Sequence, residues 1–279
     1  MCQNRYGELF RKIRKQSGLS LTAFSSIGIG KTTLSDFERG KTMMRFDKVV
    51  MGLQFMGVSL EEFEHLLNHY LISDPLVILN SAESALIFEN KEELRCLAEL
   101  AKKSNHTQIH FALKILLGEA GDFEREELTE FLYTATSWTY KEMFIFHTLI
   151  DQIPPRDTLN ILKEFKKSFR GIYRSTEYRR GLALVLFRAI TVLSYYGYKK
   201  EAGEIILSIE EHQLAYSMFL RNLFYGTKAY WVYCFEDKEK GQEMAQKFMT
   251  IQELAGVPEV MAFYKKKGGT IYAGAGVKT

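Results

Sequence analysis

The sequence predicts an all-α protein in two parts, a small N-terminal unit of short helices joined by tight turns and a longer array of paired helices. Three observations carry this. Apolar residues recur at three- and four-residue steps almost throughout, the helical period, and no segment shows a strand pattern ending in a hairpin turn. Four prolines, at positions 75, 154, 155 and 258, leave long uninterrupted segments in a chain of 279 residues. Residues 1–60 hold ten Lys or Arg against four Asp or Glu, a net charge of +6, whereas the remainder nets −3, so only the first part is built to attract a polyanion.

The N-terminal elements follow in order. Leu9, Phe10 and Ile13 recur at helical steps with Arg11, Lys12, Arg14 and Lys15 between them, which makes residues 6–16 an amphipathic helix with a basic outer face. Gly18 stops it. Ser20 is placed to cap a short second helix whose Leu21 and Phe24 face inward, with Ser25 a further candidate, and Gly28-Ile29-Gly30 makes the turn that follows. Residues 31–38 form the third helix. Ile29, Leu34 and Phe37 bury it, leaving Lys31, Thr32, Thr33, Ser35 and Asp36 on the outside near its start, where a recognition helix meets base edges in a major groove. Gly40 ends that helix, and Lys41 and Arg45 follow on a loop suited to phosphates.

These residues, ending in the Phe-Glu-Arg-Gly turn, resemble a repressor-type (Cro/C1-like) helix-turn-helix. The resemblance implies that Lys31, Thr32 and Asp36 read bases and that Thr33, Lys41 and Arg45 contact the backbone of double-stranded DNA. It also implies that Arg14 and Glu38 form a buried ion pair joining the first helix to the third. Two positions depart from the pattern: Gly30 stands where Ser or Thr usually caps, and Leu21 where Gln often contacts phosphate, which puts the phosphate clamp at that helix end in question. Gly28 to Thr33 also imitates the end of a nucleotide-binding P-loop, but Ser25 occupies the position that needs glycine and no strand precedes it.

From residue 46 onward the periodicity predicts helices over 46–56, 59–71, 74–89, 91–103, 107–118, 123–136, 140–150, 156–171, 175–197, 200–209, 213–234, 237–255 and 258–266. Beyond about residue 70 they come in pairs joined by turns such as Gly121-Asp122, Gly197-Tyr198 and Glu236-Asp237. Degenerate tetratricopeptide-like pairs of this kind stack into a right-handed superhelix whose concave face suits an extended peptide. With 46% hydrophobic and 25% charged residues, the chain has the composition of a soluble protein able to bury sizeable cores.

Cys2, Cys96 and Cys234 are scattered, without a CxxC pair, so neither a disulfide framework nor a zinc site is expected. The N-terminus is polar and basic with no apolar run after it, so a signal peptide is not expected. The longest low-charge stretch, 182–197, is short for a membrane span and carries Arg188, which makes it a buried helix in a protein of the reducing cytoplasm. No nucleophile–His–acid cluster, HExxH pair or strand-anchored glycine loop appears. The expectation is therefore a non-enzyme without metal or cofactor.

A repressor-type reader followed by about five helical repeats resembles the Rgg/GadR/MutR family of peptide-regulated transcription factors of Gram-positive bacteria. Its motif lies in residues 7–66, in GELFRKIRK, KTTLSDFERG and VSLEEFEHLLNHY. The resemblance implies a cytoplasmic homodimer whose repeat domain captures a short signalling peptide, which changes how paired readers engage a promoter. Some members carry a cysteine that cross-links the two readers; Phe46 stands there in this chain, so no such link is expected. The domains expected are 1–68 for DNA, 69–267 for peptide and dimerisation, with the dimer contact in 237–266, and 268–279 as a flexible tail.

Candidate peptide contacts come from polar stripes on apolar helices. Arg188, Thr191 and Tyr195 form one, open to two readings: a groove wall, or a structural Arg paired with a buried carboxylate. Asn222, flanked by Met218, Tyr225 and Ala229, suits the backbone of an extended ligand or satisfies a loop carbonyl. Asn222 and Tyr225 are assigned with the first three to the peptide. Tyr140, Phe144 and His147 form a third stripe, for which a satisfied core histidine is the preferred reading, and Trp138 and Trp231 are read as core. Two other functions remain: a repressor whose helical domain only dimerises or docks a protein, and an enzyme with an appended reader.

Overall fold

A computed structural model describes residues 3–67, 75–167, 176–255 and 262 of the chain, which divides into two compact units, Met1–Leu71 and Ile72–Thr279. The boundary expected between residues 68 and 69 and the tail from 268 lie outside the described residues. So does the helix over 258–266, apart from residue 262.

The N-terminal unit holds α1 (Gln3–Gln16), a 3-10 helix (Leu21–Ile27), α2 (Lys31–Glu38), α3 (Phe46–Phe55) and α4 (Leu60–Leu67). Phe10 of α1 sits at its centre, its ring 6.0 Å from Phe24, 5.6 Å from Phe37 and 6.5 Å from Phe63, all four side chains buried. Each such burial contributes about 1.5–3 kcal/mol. The close crossing of α1 over α2 depends on Gly7, where a Cβ would fall 1.9 Å from the Phe37 carbonyl oxygen.

The second element differs from the α-helix expected there. Ser20 does cap it, its hydroxyl accepting from Ala23 N at 3.3 Å. The seven residues adopt the tighter 3-10 form, Gly28 at φ 76° ends them, and only Phe24 of the segment is fully buried. Leu21 is half-buried and Ser25 is exposed, so Ser25 does not face inward.

The C-terminal unit holds α5 (Pro75–Ile87), α6 (Lys91–Lys103), α7 (Thr107–Leu117), α8 (Asp122–Thr134), α9 (Tyr140–Leu149), α10 (Pro155–Lys167), α11 (Thr176–Tyr195), α12 (Lys199–Glu211), α13 (Met218–Phe235) and α14 (Lys238–Ala255). Consecutive helices pack on each other from α5 to α9 and from α10 to α14, α10 packs back on α8, and α5, α7, α9, α11 and α13 also pack each on the next of the set. That double pattern lays these five side by side as one layer, as in a helical-repeat array.

Local capping fixes where the helices begin. Asn90 accepts from Glu93 N at 3.1 Å, Glu142 Oε2 accepts from Thr139 N at 2.7 Å, and Ser217 accepts from Leu220 N at 3.2 Å. One continuous core runs from Ile78 of α5 to Leu223 of α13. Trp138 belongs to it, buried with its ring 4.5 Å from Phe165. Trp231 is half-buried and donates from Nε1 to the Lys199 carbonyl at 3.3 Å.

Candidate functional site

Each unit presents one candidate site. In the N-terminal unit Leu34 and Phe37 of α2 are buried while Lys31, Thr32 and Thr33 are exposed and Ser35 and Asp36 half-buried, so the predicted residues share one outward face. Gly30 precedes α2 without a side-chain cap hydrogen bond, which leaves the first-turn N–H groups on that same face. Lys41 Nζ stands 3.9 Å from Asp36 Oδ1, and Arg45 Nη2 stands 3.1 Å from Asp47 Oδ2, both pairs well exposed. Such surface pairs hold weakly and release their cations to a stronger anion such as phosphate.

The frame behind this face is fixed by Arg14 and Glu38. Arg14 donates from Nε to Glu38 Oε1 at 2.5 Å, from Nη2 to Oε2 at 2.8 Å and from Nη1 to the Leu19 carbonyl at 2.7 Å. Both side chains are below a tenth exposed. The hydrogen bond to Glu38 is the main reason that the Arg14 guanidinium lies above its ordinary pKa. Phe46, at the start of α3, is 70% exposed.

In the C-terminal unit the layer of α5, α7, α9, α11 and α13 forms, with α14, a groove of about 780 Å³. Its walls are largely apolar, with Leu86, Phe144, Leu184, Phe187, Leu223 and Phe248 prominent. Two ion pairs lie on its lining. Arg180 Nη2 donates to Glu83 Oε2 at 2.8 Å, and Tyr140 Oη donates to Glu83 Oε1; Arg188 Nη2 donates to Asp151 Oδ2. Burial would lower the Arg180 guanidinium, but the charge and hydrogen bond of Glu83 outweigh it and raise the pKa, whereas at Arg188 burial prevails and lowers it.

The structure thus sorts the predicted contacts. Arg188 and Thr191 line the groove, though the Thr191 hydroxyl donates to the Phe187 carbonyl of its own helix at 3.0 Å and keeps only acceptor capacity for a ligand. Tyr195, Asn222 and Tyr225 are not among the lining residues. Tyr195 continues the stripe of Arg188 but lies about 10 Å further along α11, past the groove's end, with its ring against Tyr196. On α13 the groove face is Phe219, Leu223, Gly226, Thr227 and Tyr230. Asn222 is turned about 100° from Leu223 and Tyr225 about 160° from Leu223, so both look elsewhere. Asn222 Oδ1 is buried without a hydrogen-bond partner among the described residues.

Tyr140, Phe144 and His147 all line the groove, and Phe144 is at the same time buried in the core with Tyr140 packed against it. Sequence reasoning missed Glu83, Asp151 and Arg180. Glu83 and Arg180 sit in helices whose periodicity marks only a polar position, and Asp151 lies in a turn with no period at all. Among the described residues no group of three His, Cys, Asp or Glu is placed to hold a metal, and no helix is long and apolar enough to cross a membrane.

Residues 89–266 match the family described as HTH-type transcriptional regulator Rgg, C-terminal domain, and residues 10–63 match the helix-turn-helix family. Among solved structures, the chain is similar to the SHP pheromone receptor Rgg2 of Streptococcus dysgalactiae, at 17% identity over 95% of this chain and 99% of that one, with a TM-score of 0.78. A putative transcriptional regulator from Listeria monocytogenes EGD-e is similar at 15% identity over 99% and 100%, with a TM-score of 0.79. A bacterial peptide pheromone/receptor complex is similar at 13% identity over 96% and 99%, with a TM-score of 0.67. At these identities the structures establish a shared fold.

Proposed function

The chain belongs to the Rgg family of HTH-type transcriptional regulators, and we propose that its helical array binds a short signalling peptide whose presence controls promoter engagement. The observation that carries this reading is the groove itself: apolar walls for side chains, bounded by charged and hydroxyl groups that satisfy a backbone and its ends, on the helical-repeat unit. Similarity to a pheromone receptor and to a peptide pheromone/receptor complex supports it.

In this reading the protein is a cytoplasmic non-enzyme with no metal or organic cofactor. Residues 1–68 read double-stranded DNA, with Lys31, Thr32 and Asp36 at the bases and Thr33, Lys41 and Arg45 at the phosphates, Ser35 completing the face. Residues 69–267 bind the peptide, Arg188 and Thr191 among its contacts. A homodimer presents two readers to half-sites about one helical turn apart. Ile251 and Leu254, apolar and exposed near the end of α14, fit a dimer contact there.

A second reading, in which the array only docks a protein, draws on a hollow beside α12 and α13 with Trp231 and the exposed Leu207 at its surface. Native mass spectrometry of the protein purified from its own host separates the two. The peptide reading predicts an added mass of a short peptide, and a change in promoter affinity when it is stripped. A ligand-free protein whose promoter binding is unmoved by the host's peptide fraction would leave the docking reading.

A further inference from the structure

Arg180 and Arg188 stand on the same helix and line the same groove, yet they are held differently. The Arg180 carboxylate partner, Glu83, takes one bond from Arg180 and another from Tyr140, and the three groups stand on α11, α5 and α9. Arg180 is 45% and Glu83 27% exposed, so it is the two bonds on Glu83, not burial, that tie this cluster together. Arg188 touches one oxygen of Asp151, and its guanidinium has no second carboxylate contact among the described residues. Asp151 lies beyond the end of α9, in the turn before α10, with its side chain about a third exposed at 33%. It swings into water at little structural cost.

A guanidinium matches a carboxylate by two parallel hydrogen bonds, as Arg14 does with Glu38. Arg188 spends one donor group on Asp151 and keeps the rest of its fork on the groove wall. Resting on the peptide reading above, we propose that Arg188 is the subsite for the free carboxylate of an apolar peptide, and that Asp151 is a stand-in which the ligand's carboxylate displaces. Charge complementarity selects this occupant. Exchange keeps Arg188 paired, this time by both edges of the fork, and sends the Asp151 charge to solvent.

The same balance excludes other ligands. Near Arg188 a second charge on the ligand faces the apolar walls at Leu184, Phe187 and Leu223, where it is left unpaired; further along stand the mutually bonded Arg180 and Glu83 and polar groups such as Gln152, Gln242 and Gln246, which carry no charge to balance it. Eight residues of α11 separate Arg180 from Arg188, about 12 Å along the helix, so three or four extended residues fit between the two pairs. The segment next to the carboxylate is therefore short, extended and uncharged.

A pool of N-acetylated pentapeptides built from Leu, Ile, Val and Phe, in matched free-acid and C-terminally amidated forms, tests this on the full-length protein by competition binding. The free acids are expected to bind about tenfold more tightly, the equivalent of about 1.4 kcal/mol. Asp151→Asn removes the competitor and is expected to tighten the acids several-fold while leaving the amides unchanged. Arg188→Gln is expected to erase the difference between forms, and Arg188→Lys, which keeps the charge without the fork, to retain part of it.

Equal binding of both forms by the parent overturns the carboxylate subsite and leaves the peptide reading standing. Weaker acid binding by Asp151→Asn overturns the stand-in role, since Asp151 then builds the site. If neither form binds the parent, the peptide reading itself falls and this inference with it.

Discussion

Two arginine–carboxylate pairs, one in each unit, show how the same chemistry takes different roles according to burial and geometry. Arg14 and Glu38 are joined by two parallel hydrogen bonds, lie below a tenth exposed, and bind the end of α2 to α1. Arg188 and Asp151 share one contact, are 23% and 33% exposed, and border a groove. A buried, fully satisfied pair holds the fold, because losing one partner strands the other charge away from water. In the second pair Asp151, a third exposed, turns to water more readily than Arg188, which burial leaves in need of a partner, and this suits an arginine that exchanges one carboxylate for another.

The largest expected effect sharpens that contrast. Arg14→Ala strands the Glu38 carboxylate in the N-terminal core and is expected to destabilise that unit by about 3–5 kcal/mol, read by chemical denaturation. An Arg14→Ala protein as stable as the parent would mean the pair is incidental, and the contrast with Arg188 would lose its basis.

Next come the exposed residues of α2 and its following loop. Lys31→Ala or Asp36→Ala is expected to change which base is preferred, by about 1–3 kcal/mol of discrimination, in binding to a panel of promoter variants. Lys41→Ala and Arg45→Ala are expected to weaken all sequences alike and to lower the salt slope by about 1 each, the signature of a lost phosphate contact. If the loop variants instead alter base preference, the division of labour on this face is wrong.

The smallest effect is a pH dependence in the C-terminal unit. Burial would raise the Glu142 pKa, but hydrogen bonds from the Thr139 hydroxyl and amide, with Lys141 3.2 Å away, outweigh it and hold the carboxyl below its ordinary value of 4.5. A depressed carboxyl stabilises the fold above its unfolded pKa and loses that contribution as pH falls through the folded one. Glu142→Gln is therefore expected to cost about 1 kcal/mol near neutrality and nothing at the acid end of the transition. Parallel pH–stability curves for parent and variant would remove Glu142 as the cause.

The two units also differ in how much the sequence discloses. In the N-terminal unit Lys31 to Asp36 lie within six consecutive residues on one helix, so helical spacing alone places them on a common face. Lys41 and Arg45 have carboxylates close by in sequence, and Arg14 and Glu38, 24 residues apart, are carried by the same motif. The 3-10 helix escaped because Ser20 and Gly28 mark the ends of an α-helix and of a 3-10 helix equally well.

The groove is assembled from six helices, and periodicity describes one helix at a time. It found the stripe of Arg188 and Thr191 but not where along α11 the cavity ends, which is why Tyr195 falls outside. It marked Asn222 as polar without fixing which side of α13 turns inward. Asp151 carried no signal because a turn residue has no period. Its meaning arises only from Arg188, 37 residues away.

The measurement that tests this contrast most directly is equilibrium unfolding of Arg14→Ala and Arg188→Ala in the full chain, followed by two probes. Trp138 and Trp231, the chain's two tryptophans, both lie in the C-terminal unit, so their fluorescence reports that unit, while circular dichroism reports both. Arg188→Ala is expected to shift the fluorescence transition by about 1 kcal/mol or less, as a half-open pair should. Arg14→Ala is expected to leave fluorescence unmoved and to shift the remaining dichroism transition by about 3–5 kcal/mol. A fluorescence shift for Arg188→Ala as large as the dichroism shift for Arg14→Ala would make Arg188–Asp151 a structural pair and contradict its assignment to the ligand.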